Sequence, residues 1–265
     1  MLPQSVLVFD IETIPDVDLG RRLNSLDQLD DDDVVKAMRT LRVQKTGMTD
    51  FLSHPHHQIV AISAVLRTAE TLRIWSLGDA QASEAELLRR FFDGIEKFRP
   101  TLVSWNGSGF DLPVIHYRAL KNQVASRSYW ETGETDRDFK FNNYLNRYHA
   151  RHIDLMDVLS GYQARAFAPL EEISVMLGLP GKMGISGSQV WDYVRSGQIS
   201  AVRDYCETDV LNTYLIYLRY EYLRGALDDS LLKREEDRVA AALEESDAQH
   251  LKDFLAHWNR PARER

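Results

Sequence analysis

Three apolar stretches of the chain end in acidic residues. Residues 6–11 form an apolar run that only Asp10 interrupts, and residues 101–105 form a second run. Such runs predict central strands that are covered on both faces. Residues 200–224 carry apolar positions at helical spacing and predict a long helix. Because Asp and Glu are rarely buried unless they are paired or bound to metal, these acidic ends are candidate sites.

The rest of the pattern predicts an α/β domain. Residues 59–66 and 71–77 predict a hairpin with its turn near residues 68–70. Amphipathic or capped segments predict helices over residues 31–40, 82–98, 111–121 and 169–177. Residues 153–159 fit either a helix or a fifth strand. This order of elements predicts a central mixed β-sheet flanked by α-helices.

The chain divides into a large domain and a charged end. We predict one domain over residues 1–225 and a helical C-terminal appendage over residues 226–265, with helices at residues 231–243 and near Leu251. The apolar residues of the appendage need a surface to cover them. That surface belongs either to the domain or to a partner.

The first acidic end carries Asp10, Glu12 and Thr13. Side chains alternate along a strand, so Asp10 and Glu12 point to the same face. Two carboxylates projecting together suit a hard cation such as magnesium. The alternative is a strand that simply ends in polar residues before a turn at Pro15.

The other two acidic ends each have a structural alternative. Asp111 follows a glycine-containing turn and is a good N-cap for the helix that it precedes, a role that does not exclude metal binding. Tyr205 and Asp209 are four residues apart and share a helix face. Their alternative role is a buried hydrogen bond that fixes the helix to the sheet.

Together the three motifs resemble a known enzyme family. Val8-Phe9-Asp10-Ile11-Glu12-Thr13, Asn106-Gly107-Ser108-Gly109-Phe110-Asp111 and Tyr205-Cys206-Glu207-Thr208-Asp209 resemble, in order and content, the DEDD 3′–5′ exonucleases whose third motif is Tyr-x-x-x-Asp. The second motif is most similar to that of the proofreading domain of family-B DNA polymerases. The chain resembles the stand-alone predicted exonucleases related to that domain, from about Ser5 to about Arg224.

The resemblance implies a fold, a chemistry and a set of site residues. The fold is the ribonuclease H-like exonuclease fold, and the cofactors are two divalent cations, Mg²⁺ or Mn²⁺. The implied metal ligands are Asp10, Glu12, Asp111 and Asp209, and Tyr205 positions the attacking water. The candidate substrate contacts are Thr13, Asn106 and Phe110 within the motifs, together with Lys182, which we place on a backbone phosphate because it lies in the glycine-bearing loop 178–182.

These expectations define a metal-dependent enzyme that hydrolyses phosphodiester bonds from the 3′ end and releases 5′-nucleotides. We expect its partner to be nucleic acid with a single-stranded or frayed 3′ end, with DNA favoured over RNA. The alternatives are a 3′–5′ exoribonuclease and a catalytically silent nucleic-acid-binding module. Recognition of the 2′-OH is a local geometric matter, so the sequence does not separate DNA from RNA.

Composition limits the type of binding. The chain of 265 residues has 44% hydrophobic residues, a formal charge of −8 and a pI of about 5.5. Dedicated duplex binders are usually basic, so we expect weak, salt-sensitive binding through a local basic rim. One cysteine excludes an internal disulfide, and no apolar stretch approaches membrane-spanning length. We see no targeting segment and expect a cytoplasmic protein without membrane association.

Two further segments leave alternatives open. Residues 122–152 are rich in aromatic and basic residues, which fits either a platform for single-stranded nucleic acid or a flap packed by its own aromatics, the interpretation that we favour. His54-Pro55-His56-His57 suggests a metal site, although adjacent histidines after a proline rarely face one ion. We therefore do not expect a metal there.

Overall fold

The computed structural model describes residues 2–259 and is built on a five-stranded sheet. The strands, in the spatial order β3-β2-β1-β4-β5, are β1 (Val6–Pro15), β2 (His57–Arg67), β3 (Leu72–Ser76), β4 (Thr101–Ser104) and β5 (His152–Asp154). Strand β2 runs antiparallel to β1 and β3, whereas β4 runs parallel to β1 and β5. The predicted mixed sheet is confirmed.

Helices cover both faces of this sheet. They are α1 (Val17–Asn24), α2 (Asp31–Thr46), α3 (Glu84–Phe98), α4 (Asp111–Asn122), α5 (Arg127–Trp130), α6 (Leu155–Leu159), α7 (Leu170–Met176), α8 (Val190–Arg195), α9 (Ile199–Leu223), α10 (Asp229–Glu244) and α11 (Gln249–Trp258). The segment 153–159 contains both alternatives that the sequence left open, since β5 ends where α6 begins. Strand β1 continues to Pro15, further than its apolar run predicts.

The alternation along β1 determines which helices pack on which face. Leu7 and Phe9 belong to the core formed with α3 and α4, whereas Val6 and Val8 belong to the core formed with α9. All four side chains are at most 5% exposed. A carboxylate is poorly accommodated where a strand is buried on both faces. Asp10 and Glu12 lie further along β1, beyond Val6 to Phe9.

The C-terminal helices pack on the domain. Val239, Leu243 and Phe254 are fully buried and share one core with the apolar side chains of α9. Arg67 on β2 pairs with Glu235 on α10 at 2.6 Å, and both side chains are largely buried. The domain therefore covers the apolar face of residues 229–258, and no partner is needed for it. Residues 260–265 of the predicted appendage lie outside the described part of the chain.

The aromatic segment 122–152 divides into two sets of residues. Tyr129, Phe139 and Tyr144 are buried in the core beneath α3, and Arg151 lies over the Phe139 ring at 4.0 Å. This supports the interpretation of a segment packed by its own aromatics. A second set remains exposed and comprises Trp130, Phe141 and Tyr148. Within residues 2–259, no helix has the length and apolar character required to cross a bilayer.

Candidate active site

The open end of β1 begins where its parallel neighbour stops. Strand β4 pairs with β1 only over Val6 to Val8, whereas β2 follows β1 along its whole length. Beyond Val8, one edge of β1 is free of strand partners. Asp10 and Glu12 lie on this stretch, just before a register shift between Glu12 and Thr13. The edge is open to side chains that arrive from other elements.

Asp111 arrives at this edge from the loop after β4. Its Oδ1 accepts a hydrogen bond from the backbone N–H of Ile11 at 3.2 Å. The helix α4 begins at Asp111 itself, and Phe110 occupies the N-cap position without a side-chain cap. Asp111 is therefore the first residue of the helix and not the N-cap that the sequence predicted, and its carboxylate bonds to β1.

The loop that delivers Asp111 is tightly packed. A Cβ on Gly107 would lie 2.2 Å from Ser104 Oγ, so the close approach of this loop to β4 requires glycine. Asn106 adopts a left-handed φ of 63°. The Asp154 carboxylate, at the end of β5, accepts from the backbone N–H groups of Asn106 and Ser108, each at 2.9 Å. Asp154 thus holds the loop in place from the neighbouring strand.

Helix α9 brings the third motif to the same edge. Tyr205, Cys206 and Asp209 are all buried. The Cys206 Sγ lies 3.5 Å from both the backbone oxygen and Oδ2 of Asp10. Ligand atoms of Asp10, Glu12 and Cys206 lie within 4.8 Å of one another. The three motifs, separated by about a hundred residues each along the chain, therefore meet at one place.

The carboxylates of this cluster disfavour each other's ionisation. Burial, followed by the charges of Asp111, Glu12 and Asp209, raises the pKa of Asp10 well above its ordinary value. Burial and the charges of Asp209 and Asp111 likewise raise the pKa of Glu12. Burial raises the pKa of Asp111 to about 7, against the effect of its backbone hydrogen bonds. Each carboxylate is therefore strained in its charged form.

Asp209 and Tyr205 have distinct environments. Burial raises the pKa of Asp209 to about 6, although Tyr205 and Lys182 favour its ionised form. Within the described residues, the buried Oδ1 of Asp209 has no hydrogen-bond partner. Burial, then the charges of Asp209 and Glu12, raise the pKa of Tyr205. Its hydroxyl stays protonated at neutral pH and cannot act as a general base.

Lys182 lies near the cluster on the loop between α7 and α8. Its positive charge opposes the rise in the pKa values of Glu12 and Asp209 that burial causes. The side chain of Asn212, on α9, bonds to both the N–H and the carbonyl of Gly181. The Lys182 N–H donates to the Glu171 carboxylate. The backbone of this loop is therefore fixed relative to the third motif, while the lysine side chain is exposed.

The Thr13 hydroxyl is hydrogen-bonded to a buried histidine of the same chain. The buried His57 contacts Thr13 Oγ1 through Nδ1 at 2.9 Å and the Leu52 carbonyl through Nε2 at 3.2 Å. A carbonyl only accepts, so Nε2 carries the proton and the Thr13 hydroxyl donates to Nδ1. Burial lowers the pKa of His57 to about 4, which keeps this ring neutral. The Thr13 hydroxyl can donate to a substrate only by leaving His57.

The neighbouring histidines and Phe110 form one wall of the site. His54 Nε2 contacts the Gly109 carbonyl at 2.8 Å, and His56 Nδ1 contacts Ser53 Oγ at 2.8 Å. Since each histidine has a different partner, the segment offers no shared metal position. The Phe110 ring lies 5.0 Å from the His57 ring, edge to face. Phe110 therefore belongs to the wall beside Asp111.

Sequence reasoning missed three residues that position the site. Cys206 contacts Asp10, and its place within the third motif was the available signal. Asp154 lies at the end of a short strand. The three motifs also place acidic residues at the ends of elements, and this similarity was the available signal. Asn212 lies one turn of α9 beyond Asp209, but its partner Gly181 is distant in sequence and gave no signal.

The residues present fit divalent cations. The carboxylates of Asp10, Glu12, Asp111 and Asp209 offer the oxygen ligands that Mg²⁺ and Mn²⁺ prefer. Asp209 Oδ1, which has no hydrogen-bond partner in the described part of the chain, is a buried acceptor that such an ion would satisfy. Mutual repulsion among the four charges would also be relieved by a cation. Nearby Cys206 adds a softer donor atom at the edge of this oxygen-rich set.

Two polymerases are similar to this chain, one over a short stretch and the other over nearly its whole length. DNA polymerase 1 of Sulfurisphaera ohwakuensis is 56% identical over 39 residues, which cover 15% of this chain and 4% of that protein. The family B DNA polymerase from the hyperthermophilic archaeon Pyrobaculum calidifontis superimposes with a TM-score of 0.47 at 16% identity. That match covers 96% of this chain and 27% of the polymerase. The chain spans only a small part of either polymerase.

A family model covers most of the chain. It is described as a predicted 3′–5′ exonuclease related to the exonuclease domain of PolB, and it matches residues 49–258. The matched region contains Asp111, Tyr205 and Asp209, whereas Asp10 and Glu12 precede it. The order and directions of the five strands agree with the ribonuclease H-like exonuclease fold that the resemblance implied. The chain belongs to the family of predicted 3′–5′ exonucleases related to the exonuclease domain of PolB.

Proposed function

We propose that this protein hydrolyses single-stranded or frayed DNA from its 3′ end and releases 5′-nucleotides, using two divalent cations. The observation that supports this proposal is the meeting of four carboxylates at the free edge of β1, where Asp209 Oδ1 has no protein partner among the described residues. Four converging like charges are of no use to a purely structural module. They are useful where cations and a phosphate must be bound together.

Asp10, Glu12, Asp111 and Asp209 would hold the cations. When bound, two such ions stabilise the charge that develops on the attacking and leaving oxygens of an in-line displacement at phosphorus. The protein contributes a rigid ligand set, since Asp111 is anchored to Ile11 and Asp10 rests against Cys206. Rigid ligands reduce the reorganisation that the reaction would otherwise require.

Tyr205 and Lys182 have roles that follow from their protonation. The raised pKa of Tyr205 keeps a hydroxyl next to Asp209, where it orients the attacking water by hydrogen bonding without removing its proton. The exposed Lys182 ammonium contacts a non-bridging oxygen of the substrate backbone. Its nearness to Glu12 and Asp209 lets it offset part of the negative charge of the site.

The first prediction tests this chemistry. Asp10→Ala and Asp209→Ala each remove one proposed ligand and should abolish Mn²⁺-dependent degradation of a 5′-labelled single-stranded DNA oligomer. Tyr205→Phe removes an orienting hydroxyl but no ligand, and should retain weak activity. Circular dichroism of each variant would show that the fold is preserved. Full activity of purified Asp10→Ala protein would refute the assignment of the site.

The direction and the nucleic acid are tested with matched oligomers. We expect shortening from a free 3′ hydroxyl, poor degradation of a 3′-phosphorylated strand and no cleavage of a closed circular strand. Cleavage of the circle at an equal rate would indicate an endonuclease. An RNA oligomer of the same sequence should be degraded more slowly than DNA, and faster degradation of RNA would favour the exoribonuclease alternative.

A further inference from the structure

The segment between β1 and β2, residues 17–56, crosses in front of the open end of β1, and we call it the strap. One side of the strap is tied to α8. Trp191 Nε1 donates to Asp32 Oδ1 at 3.0 Å, and Arg195 Nη1 donates to Asp31 Oδ2 at 2.9 Å. The start of α2 is therefore fixed to the wall that follows the Lys182 loop.

The other side of the strap is tied to the second motif. His54 Nε2 contacts the carbonyl of Gly109 at 2.8 Å. The Phe51 ring lies 5.5 Å from the Phe110 ring and 5.2 Å from the His57 ring. The strap thus bridges from α8 to the loop that delivers Asp111, and it leaves a space beneath it.

This space is a cavity of about 510 Å³ that lies beside the acidic cluster. Its volume falls within the range of roughly 300–1,000 Å³ that is typical of ligand sites. Thr13, the residue after Glu12, forms part of its floor. Arg39 and Phe51 line it from the strap, and Lys182 and Trp191 line it from the opposite wall.

The lining has the chemistry of a single-strand site. Within residues 2–259, neither the Arg39 guanidinium nor the Lys182 ammonium has an ion-pair partner, and both side chains are exposed. Phe51 is 55% exposed despite its contacts with Phe110 and His57. Cations that track phosphates and aromatic rings that stack on bases are the two components of single-strand binding. One carboxylate, Asp50, also lines the cavity and opposes the charge of the two cations.

We propose that the cavity beneath the strap holds the single strand next to its 3′ terminus, with Arg39 on a backbone phosphate and Phe51 stacked on a base. This inference rests on the exonuclease function proposed above. Because the strap is tied on both sides, a strand enters by threading its free end. A closed circle has no end to thread, and a duplex must fray first. The strap therefore accounts for specificity toward single-stranded 3′ ends.

The proposal is tested by binding alone, so that it does not depend on hydrolysis. Fluorescence anisotropy of a 5′-fluorescein decathymidine would be measured with the full chain, in chelator, at several NaCl concentrations. Arg39→Gln should weaken binding at low salt and reduce the slope of log affinity against log salt by about 0.7, the value for one phosphate on a single strand. Asp50→Asn, which changes the opposite charge in the same cavity, should tighten binding.

The proposed stacking on Phe51 is tested with a pair of variants, one at Phe51 and a control at Phe141. Phe51→Ala should weaken binding by at least about fivefold, the lower limit for loss of one stacked base. Phe141→Ala removes a ring that is 80% exposed on the segment 122–152 and should leave binding unchanged. Weakening by Phe141→Ala together with wild-type binding by Phe51→Ala would overturn the proposal and place the strand on that segment.

Two further outcomes separate this proposal from the proposed function. An unchanged salt slope in Arg39→Gln, or no binding by the wild type, would overturn the strap cavity even if Asp10→Ala abolished degradation. If the variants behave as expected but no strand is degraded, the cavity stands and the exonuclease function fails.

A blunt hairpin with the same 3′ sequence should compete poorly with decathymidine, and equal competition would contradict threading.

Discussion

At the scale of single residues, the acidic cluster links stability to pH. The pKa values of Asp111 and Asp209 are raised to about 7 and about 6, so the folded protein binds these protons more tightly than the unfolded chain does. The resulting stabilisation is complete below the ordinary Asp pKa of 3.8 and is lost as the pH rises through about 6 and 7. At neutral pH, the metal-free site is a local source of instability.

Metal and pH should therefore act together on the melting temperature. In chelator, we expect the wild type to melt at a lower temperature at pH 8 than at pH 5.5. An Asp10→Asn, Asp209→Asn double variant should show a smaller decline, and at pH 8 it should be at least as stable as the wild type. His250, whose pKa is raised by Glu207 and Asp204 against the effect of burial, adds a decline in the same direction to both proteins.

Manganese should raise the melting temperature of the wild type and do much less for the double variant. A ligand at a hundred-fold excess over its dissociation constant stabilises the native state by about 2.7 kcal/mol. Thermal melts of both proteins with chelator and with manganese would measure this difference. An equal response to the metal in the two proteins would contradict the assignment of these carboxylates as ligands.

At the scale of elements, the site depends on how β5 holds the loop before α4. Asp154 Oδ1 accepts from Asn106 N–H and from Met156 N–H, and Oδ2 accepts from Ser108 N–H. One carboxylate thus caps α6 and fixes the loop that delivers Asp111. No other acceptor in the described residues replaces it for these loop N–H groups, so the position of Asp111 relies on it.

Replacement of Asp154 should separate positioning from folding. Asp154→Asn keeps the shape but removes one acceptor oxygen, and we expect a loss of about 1–3 kcal/mol in the free energy of unfolding. The turnover number should fall more than tenfold, because the loop that delivers Asp111 would be displaced. Asp157→Asn is the matched control, since Asp157 pairs with Arg147 at 2.8 Å and, within the described residues, its carboxylate accepts no hydrogen bond from the loop. A similar fall in turnover for both variants would argue against a specific role of Asp154.

At the scale of the whole molecule, the two C-terminal helices belong to the core. Phe254 on α11 and Leu243 on α10 are fully buried in the cluster that contains Tyr214 and Leu218 of α9. The same helix α9 carries the third motif on its sheet-facing side. Stability of the C-terminal helices is thereby coupled to the part of the molecule that forms the site.

A core substitution tests whether the molecule unfolds as one unit. Phe254→Ala should lower the free energy of unfolding by about 3–5 kcal/mol, as for a buried aromatic in any well-packed core. We expect a single transition in urea, with the same midpoint by circular dichroism and by tryptophan fluorescence. Two separated transitions, with only the first shifted by the substitution, would show that residues 226–258 fold independently of the domain.

The sequence alone determined the local elements and the identity of the acidic groups. Periods of two and 3.6 residues are local properties, and they predicted four of the five sheet strands and the long helix within a few residues, whereas residues 153–159 stayed open between a strand and a helix. The fixed alternation of a strand placed Asp10 and Glu12 on the same face. Tyr205 and Asp209, four apart on one helix, followed from the same reasoning.

The tertiary structure decided what each group touches. Asp111 bonds to Ile11 because β4 ends early and leaves that edge of β1 free, a consequence of strand lengths that no local pattern encodes. Asn212 holds the Lys182 loop across 31 residues, and the strap closes over the site through contacts with residues more than 150 positions away. Such contacts depend on how the elements pack around a shared core, so they become visible only when the whole chain is folded.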